Sequence, residues 1–175
     1  ASISPGKRIA ILATDATVQS RIFDELVQRF AADVEVIRQV CRGWVELVER
    51  GDLDSALARE TVTDCLAPVL ARGADTIVLG CTHFPFLRPL VQDLAGDGVY
   101  VLDTGVPVAR QVRRVLESAG LLYRSGLPGR CTYYTSGDPA AVLPVISRLT
   151  GEVQPEVLTV RASAEVRMTR ATFEA

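Results

Sequence analysis

Residues 7–105 alternate between two hydrophobic periods, and this alternation constrains the fold more than any other feature of the chain. Lys7 to Thr14 reads K-R-I-A-I-L-A-T, a continuous apolar run opened by Pro5-Gly6. Such a run predicts a strand buried on both faces. Val18, Ile22, Phe23, Leu26, Val27 and Phe30 then recur at three- and four-residue steps, the spacing of one helix face, with Thr17 as the expected N-cap. Asp33 to Val40 predicts a second strand. Residues 54–72 predict a helix with Leu57, Val62, Leu66, Val69 and Leu70 on one face, stopped by Gly73. Asp75 to Gly80 predicts a third strand, Phe84 to Leu94 a helix, and Tyr100 to Leu102 a fourth strand closed by Asp103-Thr104-Gly105. Strand and helix in alternation with short turns imply an α/β fold: a parallel sheet with helices on both faces, in three αβα layers.

Beyond residue 105 the rhythm changes. Val106 to Ala119 predicts a helix ended by Gly120, and residues 123–130 a loop. Cys131 to Thr135 is strand-like, a helix runs from the Ser136–Pro139 turn to Leu149, and Pro155 to Val160 predicts a last strand. Residues 161–175 carry little to bury and are expected to form a mobile tail.

Composition removes several function classes. A net charge of −2 gives no electrostatic footprint for nucleic acid or an anionic membrane surface. No apolar run approaches the roughly 18 residues that span a bilayer, and no cationic-then-apolar leader is present. Nothing therefore argues for secretion. The four cysteines, at 41, 65, 81 and 131, include no C-x-x-C pair, and one histidine cannot complete a Cys/His zinc set. Free thiols in a reducing compartment are the expectation, rather than a disulfide framework. The only methionine is Met168, so the chain is expected to be a processed product or a piece of something longer.

Ligands of a parallel sheet bind at the carboxyl ends of its strands. Three segments fall there: Ala13–Thr17, Gly80–Pro85 and Asp103–Gly105. Gly80 permits a sharp turn and places Cys81 just past the strand. Thr82 is the expected N-cap of the helix that follows, so free amides and the helix dipole would face the thiol, a setting that favours thiolate and suits a bound carboxylate. His83, the only histidine, is two residues from Cys81 and in reach of its proton.

Three chemistries use such a thiol. A C-x5-R phosphate loop fails by one residue, because Arg88 gives C-x6-R with no glycine inside. A cysteine-nucleophile hydrolase usually draws its Cys and His from distant parts of the chain. Proton transfer at carbon needs only a thiolate in a dry, preorganised pocket.

The string L-G-C-T-H-F-P-F-L-R-P-L, residues 79–90, resembles the second cysteine motif of glutamate racemases, members of the cofactor-independent aspartate/glutamate racemase superfamily. I-A-I-L-A-T-D-A-T-V-Q-S (9–20) resembles that family's strand and threonine-bearing turn. C-R-G-W-V-E-L-V-E-R-G (41–51) resembles its C-P-x-F-V-P-L-V-E-x-G stretch, with Arg42-Gly43 in place of the usual step after the cysteine. V-L-D-T-G (101–105) matches its Asp-Ser/Thr-Gly element, and Y-Y-T-S-G-D-P (133–139) a strand-to-helix turn near its C-terminus. The family's earlier Asp-Ser-Gly and Cys-Asn-Thr motifs do not occur here.

The resemblance implies that residues 1–105 are the second α/β domain, that 106–160 return to complete the first, and that most of the first is missing. It implies interconversion of L- and D-glutamate for peptidoglycan in the bacterial cytoplasm, with no cofactor and no metal, because a pair of thiols does the work. Cys81 would be one acid/base, with His83 and Glu49 assisting. Thr82, Thr14 and Thr17 would contact the substrate. Glutamate is the implied small-molecule partner, and a homodimer is a further expectation. An inert ligand-binding fragment is the rival of a different class.

Overall fold

The chain's computed structural model describes residues 4–124, 126 and 129–160. It divides into two compact units, Ala1–Ser125 and Gly126–Ala175. The predicted tail, 161–175, lies outside the described residues, as does part of the predicted loop at 123–130.

The first unit is built on four parallel strands: β1 (Arg8–Ala13), β2 (Glu35–Val40), β3 (Thr76–Leu79) and β4 (Tyr100–Asp103). Their order is β2-β1-β3-β4, so the chain reverses direction between β1 and β3. Right-handed crossovers then place helix α2 (Arg21–Phe30) on one face and α4 (Ala56–Ala71) and α5 (Arg88–Ala95) on the other. This is the three-layer α/β arrangement that the alternating periods predict. The α4/α5 face carries most of the core. Leu12, Ile37, Ile77 and Leu79 from the strands and Val62, Leu66, Val69 and Val91 from the helices are fully or almost fully buried. Apolar burial on this scale, about 25 cal/mol per Å², is the main force holding the sheet to its helices.

The α2 face is thinner. Only Phe23 of that helix is buried, while Ile22, Leu26 and Phe30 remain exposed. α2 also starts later than the periodicity suggests. Asp15–Val18 forms a separate short helix, α1, and the N-cap of α2 is Ser20. Thr17 is therefore inside α1 and caps nothing.

A further helix, α3 (Trp44–Glu49), is short and was not predicted. α6 (Gly105–Ser118) forms as its periodicity predicts, but none of its residues is buried. Asp75 ties the start of the chain to β3. Ser4 Oγ and Thr76 Oγ1 donate to its carboxylate, as does the Gly6 amide. Burial pushes this carboxyl's pKa up, but the hydrogen bonds from Ser4, Thr76, Gly6 and the Arg8 backbone outweigh it and hold the pKa below its ordinary value.

The second unit is one βαβ element among the described residues: β5 (Thr132–Thr135), α7 (Pro139–Thr150) and β6 (Glu156–Thr159), with the strands parallel. Asp138 caps α7 by accepting from the Ala140 amide, and Pro139 occupies its first position. No helix among the described residues is long and apolar enough to cross a membrane.

Candidate active site

The strand order puts a crevice at the carboxyl ends of β1 and β3, where successive crossovers part to opposite faces. Thr14 follows β1 there and Cys81 follows β3. Gly80 makes the approach between them close. Its amide donates to Leu12 O at 2.8 Å, and a Cβ at this position would stand 3.2 Å from that same oxygen.

The chain does not enter a helix at Thr82. His83 is the N-terminal flank of a 3-10 turn, Phe84–Leu87, and α5 begins only after it. Thr82 is exposed and caps nothing. The turn is closed instead by its own backbone, with the Phe84 amide donating to Cys81 O and the Phe86 amide to His83 O, both at 3.2 Å. The expected α-helical N-terminus facing the thiol is thus replaced by a tighter 3-10 turn, for which Pro85 in the first positions is suited.

Cys81, His83 and Glu49 come together. His83 Nδ1 is 3.9 Å from Cys81 Sγ, and His83 Nε2 is 2.6 Å from Glu49 Oε1. A carboxylate on Nε2 favours the proton there, which leaves Nδ1 as the acceptor facing the thiol. The three groups lie in one line of contact, from sulfur to imidazole to carboxylate. Glu49 is two-thirds exposed and His83 about one-third. Thr14 Oγ1 and Thr17 Oγ1 are 3.1 Å apart, on the neighbouring strand end. Thr14 also lines a cavity of about 250 Å³ with Asp15, Cys41, Arg42 and Glu46. Across it Arg42 makes a two-pronged ion pair with Asp15.

Packing behind the site is aromatic. Trp44, at the start of α3, and Phe84, next to His83, are fully buried, with ring centroids 4.8 Å apart and planes tilted by 58°. Beside the turn, Arg88 pairs with Asp103 at 3.4 Å, and Asp103 also accepts from the Gly105 amide. Sequence reasoning singled out none of these supports. The aromatic pair leaves one signal, two large rings just beyond strand ends. The Arg88–Asp103 pair leaves none, because it depends on how the start of α5 packs beside the end of β4.

A further expectation is overturned. Cys41 and Cys65 are not free thiols but form a disulfide, across 24 positions of sequence. Spacing rules look for short or patterned intervals, and this bond depends on α4 crossing the end of β2. Cys81 and Cys131 are the free cysteines. Among the described residues no group of three or more His, Cys, Asp or Glu side chains is arranged to hold a metal ion.

The sequence model of the Asp/Glu/Hydantoin racemase family matches residues 1–112. The chain belongs to that family. A glutamate racemase of Herpetosiphon aurantiacus is 51% identical over 132 residues, 75% of this chain and 52% of the relative. The solved glutamate racemase RacE1 of Bacillus anthracis shares the fold, with a TM-score of 0.79 over 91% of this chain and 59% of that one, at 23% identity. Escherichia coli glutamate racemase, solved with L-glutamate and the activator UDP-MurNAc-Ala, gives a TM-score of 0.73 at 25% identity, over 90% of this chain and 59% of that one. The chain spans about half the length of the racemases it matches.

Proposed function

We propose that this chain carries one catalytic half of a glutamate racemase. Cys81 is its acid/base, relayed through His83 to Glu49. The observation that carries the reading is the unbroken Cys81–His83–Glu49 contact path at the crevice of an Asp/Glu/Hydantoin racemase-family sheet.

The chemistry is deprotonation of an α-carbon. Cys81 thiolate takes the α-proton from one face of glutamate and leaves a planar carbanion. Thr82, next to the thiol, holds the α-carboxylate with its amide and hydroxyl, and Thr14 and Thr17 take the remaining polar groups. Inversion needs a proton delivered to the opposite face, and one thiol cannot serve both. Cys41 and Cys65 are bonded to each other, and none of Cys41, Cys65 and Cys131 is followed by the Asn-Thr of the family's first cysteine motif. The second acid therefore belongs to sequence outside these residues, in keeping with relatives of about twice the matched length. In the whole enzyme, residues 106–160 belong to the other domain. A thiol pair needs neither cofactor nor metal. The biological role that follows is D-glutamate supply for peptidoglycan in the cytoplasm, with glutamate as small-molecule partner. Self-association into a homodimer belongs to the same reading.

Proton NMR of D- and L-glutamate in D₂O, with polarimetry alongside, tests this. The 175-residue chain is expected to exchange the α-proton of one enantiomer slowly and to produce no net racemisation. Full racemisation by the chain alone would overturn the two-half argument. Exchange with neither enantiomer would leave an inert binding fragment. Covalent labelling by an acylating substrate analogue, with turnover to hydrolysed product, would point to a hydrolase.

A further inference from the structure

The proton path leaves Cys41 and Cys65 unused, yet their bond sits at the root of the element that supplies Glu49. Cys41 is the first residue past β2, and its amide still donates to Ala13 O on the sheet. Cys65 lies on the buried side of α4. The disulfide therefore pins the end of β2 to α4. Only Arg42 and Gly43 separate that pin from α3. Gly43 has a left-handed φ of 81°, a conformation that glycine adopts at little cost.

α3 has six residues, too few to hold a helix by itself. It is held from outside, by the burial of Trp44, Leu47 and Val48 and by one contact at each end. Trp44 packs on Phe84 at its start, and Glu49 bonds His83 at its end. The covalent pin thus fixes where α3 begins, and α3 fixes where Glu49 ends.

We propose that the Cys41–Cys65 pair positions α3, and through it Glu49 against His83, so that the reactivity of Cys81 depends on the redox state of this pair. The proposal rests on the reading of Cys81, His83 and Glu49 as one working unit. Both cysteines are almost wholly buried, but each borders a surface cavity, which gives a small reductant its approach. Cys41 lines the cavity of about 250 Å³ at the strand ends. Cys65 lines a second one of about 300 Å³ with Gln39, Thr61 and Asp64. A dithiol reductant attacks one sulfur as thiolate and forms a mixed disulfide. Its second thiol then displaces the cysteine. Two electrons and two protons pass to Cys41 and Cys65, and the dithiol leaves as its own disulfide. The freed sulfurs part to non-bonded contact, and the displacement falls on the Arg42-Gly43 link and on α3. Inside reducing compartments, disulfides are mostly of this transient, sensing kind.

The test follows alkylation of Cys81 by iodoacetamide, peptide by peptide, in the full chain and in Glu49→Gln. The pair is either oxidised with glutathione disulfide or reduced with a phosphine that is removed before labelling. Cys131 serves as the internal reference. In oxidised protein Glu49→Gln is expected to slow Cys81 about fivefold, the rate equivalent of roughly one net hydrogen bond. In reduced protein the unsubstituted chain slows to the rate of the variant, and Glu49→Gln has no further effect. Cys65→Ser behaves as the reduced chain in either buffer. An equal effect of Glu49→Gln in both redox states overturns the proposal, as does recovery of Cys41 and Cys65 as free thiols after oxidation. Loss of the far-ultraviolet dichroism on reduction also overturns it, because the bond would then hold the fold rather than α3. If Glu49→Gln changes nothing in oxidised protein, the Cys81–His83–Glu49 reading itself fails.

Discussion

Glu49 Oε1 lies 2.6 Å from His83 Nε2, although 34 residues separate the two in sequence. The contact joins the end of a six-residue helix to a 3-10 turn, two elements with little stability of their own. Its energetic worth to the fold is small, because Glu49 is two-thirds exposed and water screens the pair. Its worth to the proposed chemistry is larger, because a carboxylate on Nε2 favours the proton there and leaves Nδ1, which faces Cys81, as an acceptor. Glu49→Gln is therefore expected to shift the urea midpoint by less than about 1 kcal/mol equivalent while lowering α-proton exchange of glutamate several-fold. A variant equally impaired in both would mean that the contact is structural.

Trp44 is the apolar counterpart of that contact. It is fully buried against Phe84, and its Nε1 has no hydrogen-bond partner among the described residues. Trp44→Ala opens a cavity and is expected to cost about 3–5 kcal/mol of unfolding free energy. Trp44→Phe keeps a ring against Phe84 and removes the unsatisfied N–H, two changes that oppose each other. Its expected cost is below about 1.5 kcal/mol. Chemical denaturation of the two variants checks this. Equal losses would mean that the indole N–H has a partner in solution.

The centre of the sheet was legible in the sequence because β1 and β3 are short apolar runs between turn signals, K-R-I-A-I-L-A-T and D-T-I-V-L-G, as strands buried on both faces are. Cys81 was legible for the same reason, since it follows a strand end directly. What escaped was set by tertiary contact. Residues 44–49 are helical because Trp44, Leu47 and Val48 are buried, not through any periodic pattern long enough to read. Thr82 and Thr17 look like caps locally, but the 3-10 turn and the break at Gln19-Ser20 move the helix starts past them. The Cys41–Cys65 bond is a consequence of α4 packing, which spacing cannot reveal. The apolar stripe of α2 was read correctly as a stripe, but only Phe23 of it is covered.

Asp75 gives the chain an acid-sensitive anchor. Its carboxyl is held below the ordinary value of about 3.9 by the hydrogen bonds from Ser4, Thr76, Gly6 and Arg8. The unfolded chain therefore takes up the proton first as pH falls. The stability Asp75 contributes is complete above its unfolded-state pKa and is lost as pH drops through the lower, folded-state value. Asp75→Asn is expected to lower the urea midpoint at pH 7, and the gap from the unsubstituted chain should close progressively below about pH 4. A gap that stays constant with pH would show that the ionised carboxylate is not what those donors require.

Gly80 sets the distance between the two strand ends that form the crevice. Its amide continues the β1–β3 ladder to Leu12 O, and an added Cβ would meet that oxygen at 3.2 Å, with Ala13 Cβ and Ile11 Cγ2 at 3.4 Å. The oxygen is backbone in a central strand and cannot rotate away. Relief must come from β1 and β3 moving apart at their carboxyl ends, where Thr14 and Cys81 sit. Gly80→Ala is expected to cost about 1–3 kcal/mol, the range for overpacking in a tight interior. It should also lower glutamate exchange at Cys81 by more than the loss of folded protein accounts for. Gly98→Ala is the control, since nothing lies within 4 Å of a Cβ there. That change is expected to be neutral or to stabilise by a few tenths to about 1 kcal/mol, through the unfolded chain. Urea midpoints and exchange rates measured on both variants decide the matter. Equal, small effects would mean that β1 and β3 tolerate the methyl group and that Gly80 does not set the spacing of the site.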